Sequence, residues 1–175
     1  MLRKIALVVV LAIAVLLVFA ATRPDTFRVE RTARIDAPAE KIFPLIDDFH
    51  RWGAWSPYEK LDPGMKRSFG GSASGKGATY AWQGNGQAGA GRMEIVESAP
   101  SSKVAIQLDF IEPFEGHNMA EFTLQPQGGA TQVTWAMHGP SPYAARLMGI
   151  FFNLDRMIGK DFEAGLANLK AATEK

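Results

Sequence analysis

The chain contains no cysteine. Disulfides, thiolate zinc sites and a cysteine nucleophile are therefore excluded, and the count fits an oxidising compartment without requiring one. Histidine is scarce, with His50, His117 and His138 the only three in 175 residues. The nearest carboxylates, Asp47, Asp48, Glu112 and Glu115, fall in no ligand spacing, so no metal and no cofactor is expected. Neither sign of charge is in excess: the formal net charge is +1, which gives no indication of a nucleic-acid partner. A strained serine elbow is missing too, because Ser56 is followed by Pro57. Gly70-x4-Gly75-Lys76 resembles a phosphate loop but has Gly77 where magnesium binding needs Ser or Thr. The pattern that follows it is a strand, whereas the phosphate chemistry requires a helix N-terminus.

Long apolar runs are absent except for one. After a tail of residues 1–4 that carries Arg3 and Lys4, Ile5 to Ala21 runs seventeen residues without charge, Gly or Pro. That length is at the lower edge for crossing a hydrocarbon core about 30 Å thick. Val18-Phe19-Ala20 approximates a signal-peptidase site, but the bulky Leu16-Leu17-Val18-Phe19 favours an uncleaved anchor. Residues 22–26 form a tether, and residues 27–175 form the domain. Arg3, Lys4 and Arg23 to Arg34 give opposing orientation signals. A folded domain translocates largely regardless of such charges, so a single-pass protein with an extracytoplasmic domain is expected, periplasmic if the source is bacterial.

Phe27, Val29, Ala33 and Ile35 alternate with polar residues, predicting a strand with one buried face. Asp36-Ala37-Pro38-Ala39-Glu40 opens a helix in which Pro44 predicts a kink or a division into two short helices. An aromatic-dense loop, Phe49 to Tyr58, follows. Glycine-punctuated strands then run to His138, with Asn85-Gly86 marking a hairpin. Hairpin spacing predicts an antiparallel sheet of six or seven strands. From Tyr143 to Lys175, the positions Leu147, Phe151, Leu154, Ile158, Phe162, Leu166 and Leu169 predict one long amphipathic helix lying on that sheet. The fold class is therefore α+β: a curved antiparallel sheet wrapped on a long C-terminal helix, with two short helices after the first strand and an N-terminal transmembrane segment.

Ala37-Pro38-Ala39-Glu40-Lys41-Ile42-Phe43, Trp52-Gly53-Ala54-Trp55-Ser56-Pro57, Gly77-Ala78-Thr79-Tyr80-Ala81-Trp82, Gly89-Ala90-Gly91-Arg92-Met93 and Gly159 to Leu166 carry a resemblance. Across Phe27 to Lys175 the chain resembles the polyketide cyclase/dehydrase branch of the START-like SRPBCC superfamily, which has a helix-grip fold. The resemblance implies a cavity between sheet and C-terminal helix, lined by aromatic side chains. Candidate ligand-binding residues are Trp52, Trp55, Tyr80, Trp82, Phe110, Phe122, Trp135, Leu147 and Phe151, with Tyr80, Asn118 and Gln107 as polar groups. Strand parity counts against Gln107. No catalytic residue is singled out, although Asp109, Glu112, Glu115 and His117 surround one turn where a general base could sit.

The reading is a monomeric, membrane-anchored protein that binds a hydrophobic small molecule or lipid, with no nucleic-acid partner. The alternatives are a cyclase- or dehydrase-like enzyme and a ligand-free interaction domain whose core is solid. A continuous cavity without a convergent acid and base separates the first from both.

Overall fold

The computed structural model describes residues 1–174. Helix α1 (Leu2–Thr22) is followed after a short tether by strand β1 (Thr26–Ile35) and helix α2 (Ala39–Asp47). Two 3-10 helices, Phe49–Ala54 and Pro57–Lys60, carry the aromatic loop. Strands β2 (Lys66–Gly71), β3 (Ala78–Gln83), β4 (Ala90–Ala99), β5 (Lys103–Glu112), β6 (Gly116–Gln127) and β7 (Ala130–Pro140) come next. Helices α3 (Tyr143–Met148) and α4 (Leu154–Thr173) close the chain.

All seven strands form one antiparallel sheet in the order β1-β7-β6-β5-β4-β3-β2. Each of β2 to β7 pairs with its sequence neighbour, as hairpin spacing requires, and β1 closes onto β7 with Thr26 opposite Pro140 and Ile35 opposite Thr131. Strand alternation divides the sheet cleanly. Val29, Met93, Ile95, Ile106, Phe122, Val133 and Trp135 face the helices and are buried, while Arg92, Gln107, His117, Glu121 and His138 face outward.

Three local expectations are corrected. Pro44 lies inside a single helix α2, because a nine-residue helix leaves so few interior bonds that the missing N–H divides nothing. That helix is capped at Pro38, two residues after Asp36 and one after Ala37, the two capping positions that the opening run suggests. The predicted helix from Tyr143 is broken: α3 ends at Gly149, and α4 starts afresh where the Asn153 side chain accepts the Arg156 N–H at 2.9 Å. Gly and a good capping residue four positions apart end one helix and begin another. The expected terminus, Lys175, lies outside the described residues.

Helix α4 grips the sheet through two glycines. A Cβ at Gly165 would meet the Trp135 ring at 2.6 Å and Pro57 at 3.1 Å, and one at Gly159 would strike the Arg31 guanidinium. Their absence lets Phe162 stack on Trp135 at 4.0 Å between ring centroids, tilted by 9°. Arg31 projects from edge strand β1 to the same helix, bonding Glu163 at 2.7 Å and Asp155 at 3.0 Å.

Candidate functional site

The inner face of the sheet has two halves. In one, Trp52, Trp55, Phe122, Trp135 and Phe162 are all at most 4 % exposed. Phe122 stacks on Trp135 at 4.9 Å, Trp55 meets both edge-on, and the indoles of Trp52 and Trp55 donate to the Ile46 and Leu45 carbonyls. This half is a filled core with no room for a guest.

The other half lies toward the end of the sheet where β1 begins and β7 finishes. Its inner-facing side chains are Phe27, Met137, Leu108, Phe110 and Trp82, of which Phe27, Phe110 and Trp82 are only half-buried. Trp82 lies over Gly91, where any Cβ would strike its ring, and meets Phe110 edge-on at 6.0 Å. One polar group stands among them. Asn118 sits opposite Leu108 on the inner face, and among the described residues its carboxamide has no hydrogen-bond partner. A Cβ at Gly139 would strike that carboxamide, so the missing side chain at Gly139 keeps Asn118 in place. Apolar walls with one free, orientable donor and acceptor are what a small-molecule site requires.

Toward the opposite edge of the sheet, Tyr80 donates to Glu59 at 2.7 Å and Arg67 bonds Glu59 at 2.7 Å. Burial first, and then the Glu59 bond, raise the Tyr80 pKa, so the phenol stays protonated. Tyr58, edge-on to Trp135, is likewise raised, by burial and then by the charge of Asp161.

The nine candidates of the sequence do not converge on one site. Trp52, Trp55, Phe122 and Trp135 build the filled core, and Tyr80 is buried against Glu59. Trp82 and Phe110 line the open half. Leu147 lies half-buried on α3, and Phe151, in the break between the helices, is 68 % exposed instead of facing the sheet. Leu108, Met137 and Phe27 were not among the candidates, although their strand parity placed them on this face. Glu59, Arg67 and Gly139 carried no sequence signal for their roles.

A family model described as polyketide cyclase / dehydrase and lipid transport matches residues 26–174. The chain belongs to that family. Solved structures show the same fold: a protein from Chromobacterium violaceum is 16 % identical, with 87 % of this chain and 99 % of that one covered and a TM-score of 0.59. A solution structure from Thermobifida fusca is 22 % identical, covering 82 % and 90 % at a TM-score of 0.60. Ara h 8.0201 is 10 % identical, covering 85 % and 97 % at 0.56. A search of curated proteins finds no match. The family thus holds a fold consistent with hydrophobic ligand binding, on a chain that also carries an apolar N-terminal helix.

In this family member the carboxylate–imidazole pairs lie away from the inner face. On the outer face, Asp109 accepts from His117 Nδ1 at 2.7 Å, Arg92 at 3.0 Å and Gln107 at 3.4 Å. This cluster borders a groove of about 500 Å³ that also includes Ser68, Thr79 and Glu94. Glu112 and Glu115 of the same turn are exposed and do not join it. The His117 bond first, and the Arg92 bond next, hold the Asp109 carboxyl below the usual carboxylate range, against the opposing effect of burial. Because the folded-state pKa is depressed, the stability Asp109 contributes is present above its unfolded value of about 3.9 and is lost only as pH falls through the folded value. Carbon-detected NMR of the Asp109 carboxyl is expected to show it ionised below pH ~4, with an upward shift on His117→Ala. A titration at the ordinary value would mean the three donors do not hold it.

Proposed function

We propose that this protein is a membrane-anchored binding protein that holds a hydrophobic small molecule or a lipid between the open half of the inner sheet face and the first turns of α4. One observation carries the reading: that half is apolar and offers a single free carboxamide, Asn118, with no carboxylate–imidazole pair. The pairs Asp109–His117, Glu121–His138 and Asp48–His50 lie on the outer face or in the loop after α2. Binding follows from burying ligand apolar surface, about 25 cal/mol per Å² before ordering costs, with Asn118 orienting one polar ligand group. The lipid-transport part of the family description supports this reading.

Anchoring is assigned to α1. Its 21 residues, at about 1.5 Å each, reach about 30 Å, the thickness of a hydrocarbon core. Of its residues only Ala20 is buried against the domain. The domain, residues 26–175, would lie outside the cytoplasm.

Two measurements test this. Native mass spectrometry with organic extraction of the Thr26–Lys175 domain is expected to find a copurifying lipid or other apolar molecule. A clean apo mass, together with no thermal shift across fatty acids, phospholipids and aromatic polyketides, would reject the binding reading. Removing residues 1–25 is expected to move the protein from the membrane pellet to the soluble fraction, and continued sedimentation with membranes would reject α1 as the anchor.

A further inference from the structure

The folded domain concentrates its exposed large apolar side chains in one segment. After α1, among the described residues, ten large hydrophobic residues are exposed, and six of them fall between Tyr143 and Met157: Tyr143, Met148, Phe151, Phe152, Leu154 and Met157. Isolated exposed apolar residues are ordinary, but a cluster of this kind marks a contact surface.

The position of α3 identifies what that surface meets. Tyr143 Oη donates to the Leu17 carbonyl at 2.9 Å, and Arg146 Nη1 donates to the carbonyls of Ala21 at 3.2 Å and Arg23 at 3.1 Å. Arg23 returns a bond to the Gly149 carbonyl at 2.8 Å. Helix α3 therefore lies beside the last turns of α1. Leu17 is four residues before Ala21, which at a helical rise of 1.5 Å places it about 6 Å inside the apolar run. An amphipathic segment lying in a membrane interface is sunk to a depth of about 5–10 Å.

The sheet register adds a second element at this level. β1 begins at Thr26, and the β5–β6 turn lies at the same end of the sheet, since Met119 pairs with His138 and His138 with Arg28. The exposed Phe114 belongs to that turn, and the exposed Ile111 lies at the end of β5 beside it. Along Tyr143–Met157 charge agrees with the geometry: Arg23 and Arg156 are exposed in or beside the patch with no carboxylate paired to them among the described residues, and the segment's one carboxylate, Asp155, is held by Arg31, while Glu112 and Glu115 stand exposed beside Phe114.

We propose that the segment Tyr143–Met157, with the tip of the β5–β6 turn, is a seat for an anionic lipid bilayer, the same bilayer that α1 enters. The basic side chains meet lipid phosphates and the aromatic and Met side chains enter the headgroup and acyl boundary. The open half of the inner face then points into the membrane surface, so an apolar ligand passes between lipid and protein without crossing water. This rests on the reading of α1 as a membrane anchor.

The absence of cysteine makes the test direct. Single variants Phe151→Cys, Met157→Cys and Phe114→Cys of the full chain, labelled with an environment-sensitive fluorophore, are reconstituted into phosphatidylcholine–phosphatidylglycerol vesicles. Val10→Cys reports α1, and Gln127→Cys reports the far end of the sheet. The expected result is a blue shift at 151, 157 and 114, with emission lost to lipids carrying a nitroxide near the headgroup. The label at 10 is expected to be quenched by deep nitroxides and that at 127 by neither. Labels at 151 and 157 that match 127, while 10 is quenched, would overturn the seat and leave the anchor standing. No quenching at 10 would overturn the anchor and the seat together. Labels at 151 and 157 shielded from water yet untouched by nitroxide lipids, with energy transfer between copies, would assign the patch to a second copy and also overturn the seat.

Discussion

Replacing Trp135 with alanine is expected to lower the stability of the folded domain by about 3–5 kcal/mol, the range for truncating a well-packed aromatic. Trp135 touches every part of the core: Phe162 of α4 stacks on it, Phe122 stacks from the neighbouring strand, and Trp55 and Tyr58 meet it edge-on from the loop. Deleting it leaves a void among those four rings and against Gly165, which has no side chain to fill it. For a domain of this size each kcal/mol is about 2–4 °C in Tm, so the melting temperature of the Thr26–Lys175 domain should fall by about 6–20 °C. Trp135→Phe should cost much less, because it keeps a stacking ring and removes an indole N–H that is buried without a partner. Equal losses for the two variants, by calorimetry and urea denaturation, would mean that the stack is not what holds α4 to the sheet.

Gly139→Phe is expected to abolish most ligand binding with little loss of fold. The position is on β7 next to edge strand β1, opposite Phe27, where an aromatic residue suits the pleat. Its side chain must push the Asn118 carboxamide aside and occupy the open half of the inner face, while its Cβ lies 3.0 Å from the His117 carbonyl, a contact the strand must relieve by giving a few tenths of an ångström. Excluding about 60–100 Å² of ligand contact would cost about 1.5–2.5 kcal/mol, or about 10- to 70-fold in Kd. Titration with a fluorescent fatty acid measures the loss, and circular dichroism with a thermal melt checks the fold. Unchanged affinity in a folded variant would place the ligand elsewhere, with the outer groove beside Asp109 the next location to test.

Much of this architecture was legible in the residues. Period-two alternation in Val104 to Phe110 and in Ala120 to Leu124 sets the inner and outer faces, and it counts against Gln107, which does face outward. What alternation cannot report is the distance between two layers. Trp52, Trp55 and Trp135 read equally well as cavity walls or as filling, and the close approach that decides it depends on Gly165, whose missing side chain has meaning only once α4 is placed over Trp135. The helix break was legible yet overridden. Leu147, Phe151 and Leu154 keep helical spacing across Gly149 and Asn153, so periodicity joined two helices that capping separates. Phe151 was consequently assigned to the sheet side when it belongs to the connecting turn. Asn118 is one of the three polar candidates the sequence offers, whereas Glu59, held between Tyr80 and Arg67, is a contact across distant sequence that no local pattern announces.

The pairing of the first strand with the last determines when the domain can be completed. β1 is the first strand after α1, yet its ten register partners lie between Thr131 and Pro140, roughly a hundred residues later in the chain. Its only other large contact is with α4, which is later still. During synthesis, therefore, β1 has nothing to bind until nearly the whole polypeptide exists, and the β2–β6 meander forms first beside an unpaired edge. Contacts of such long sequence separation are slow to close, and unpaired strand edges invite wrong partners. Completion of the sheet therefore waits on the last part of the chain, and its first strand is also among the last to be paired.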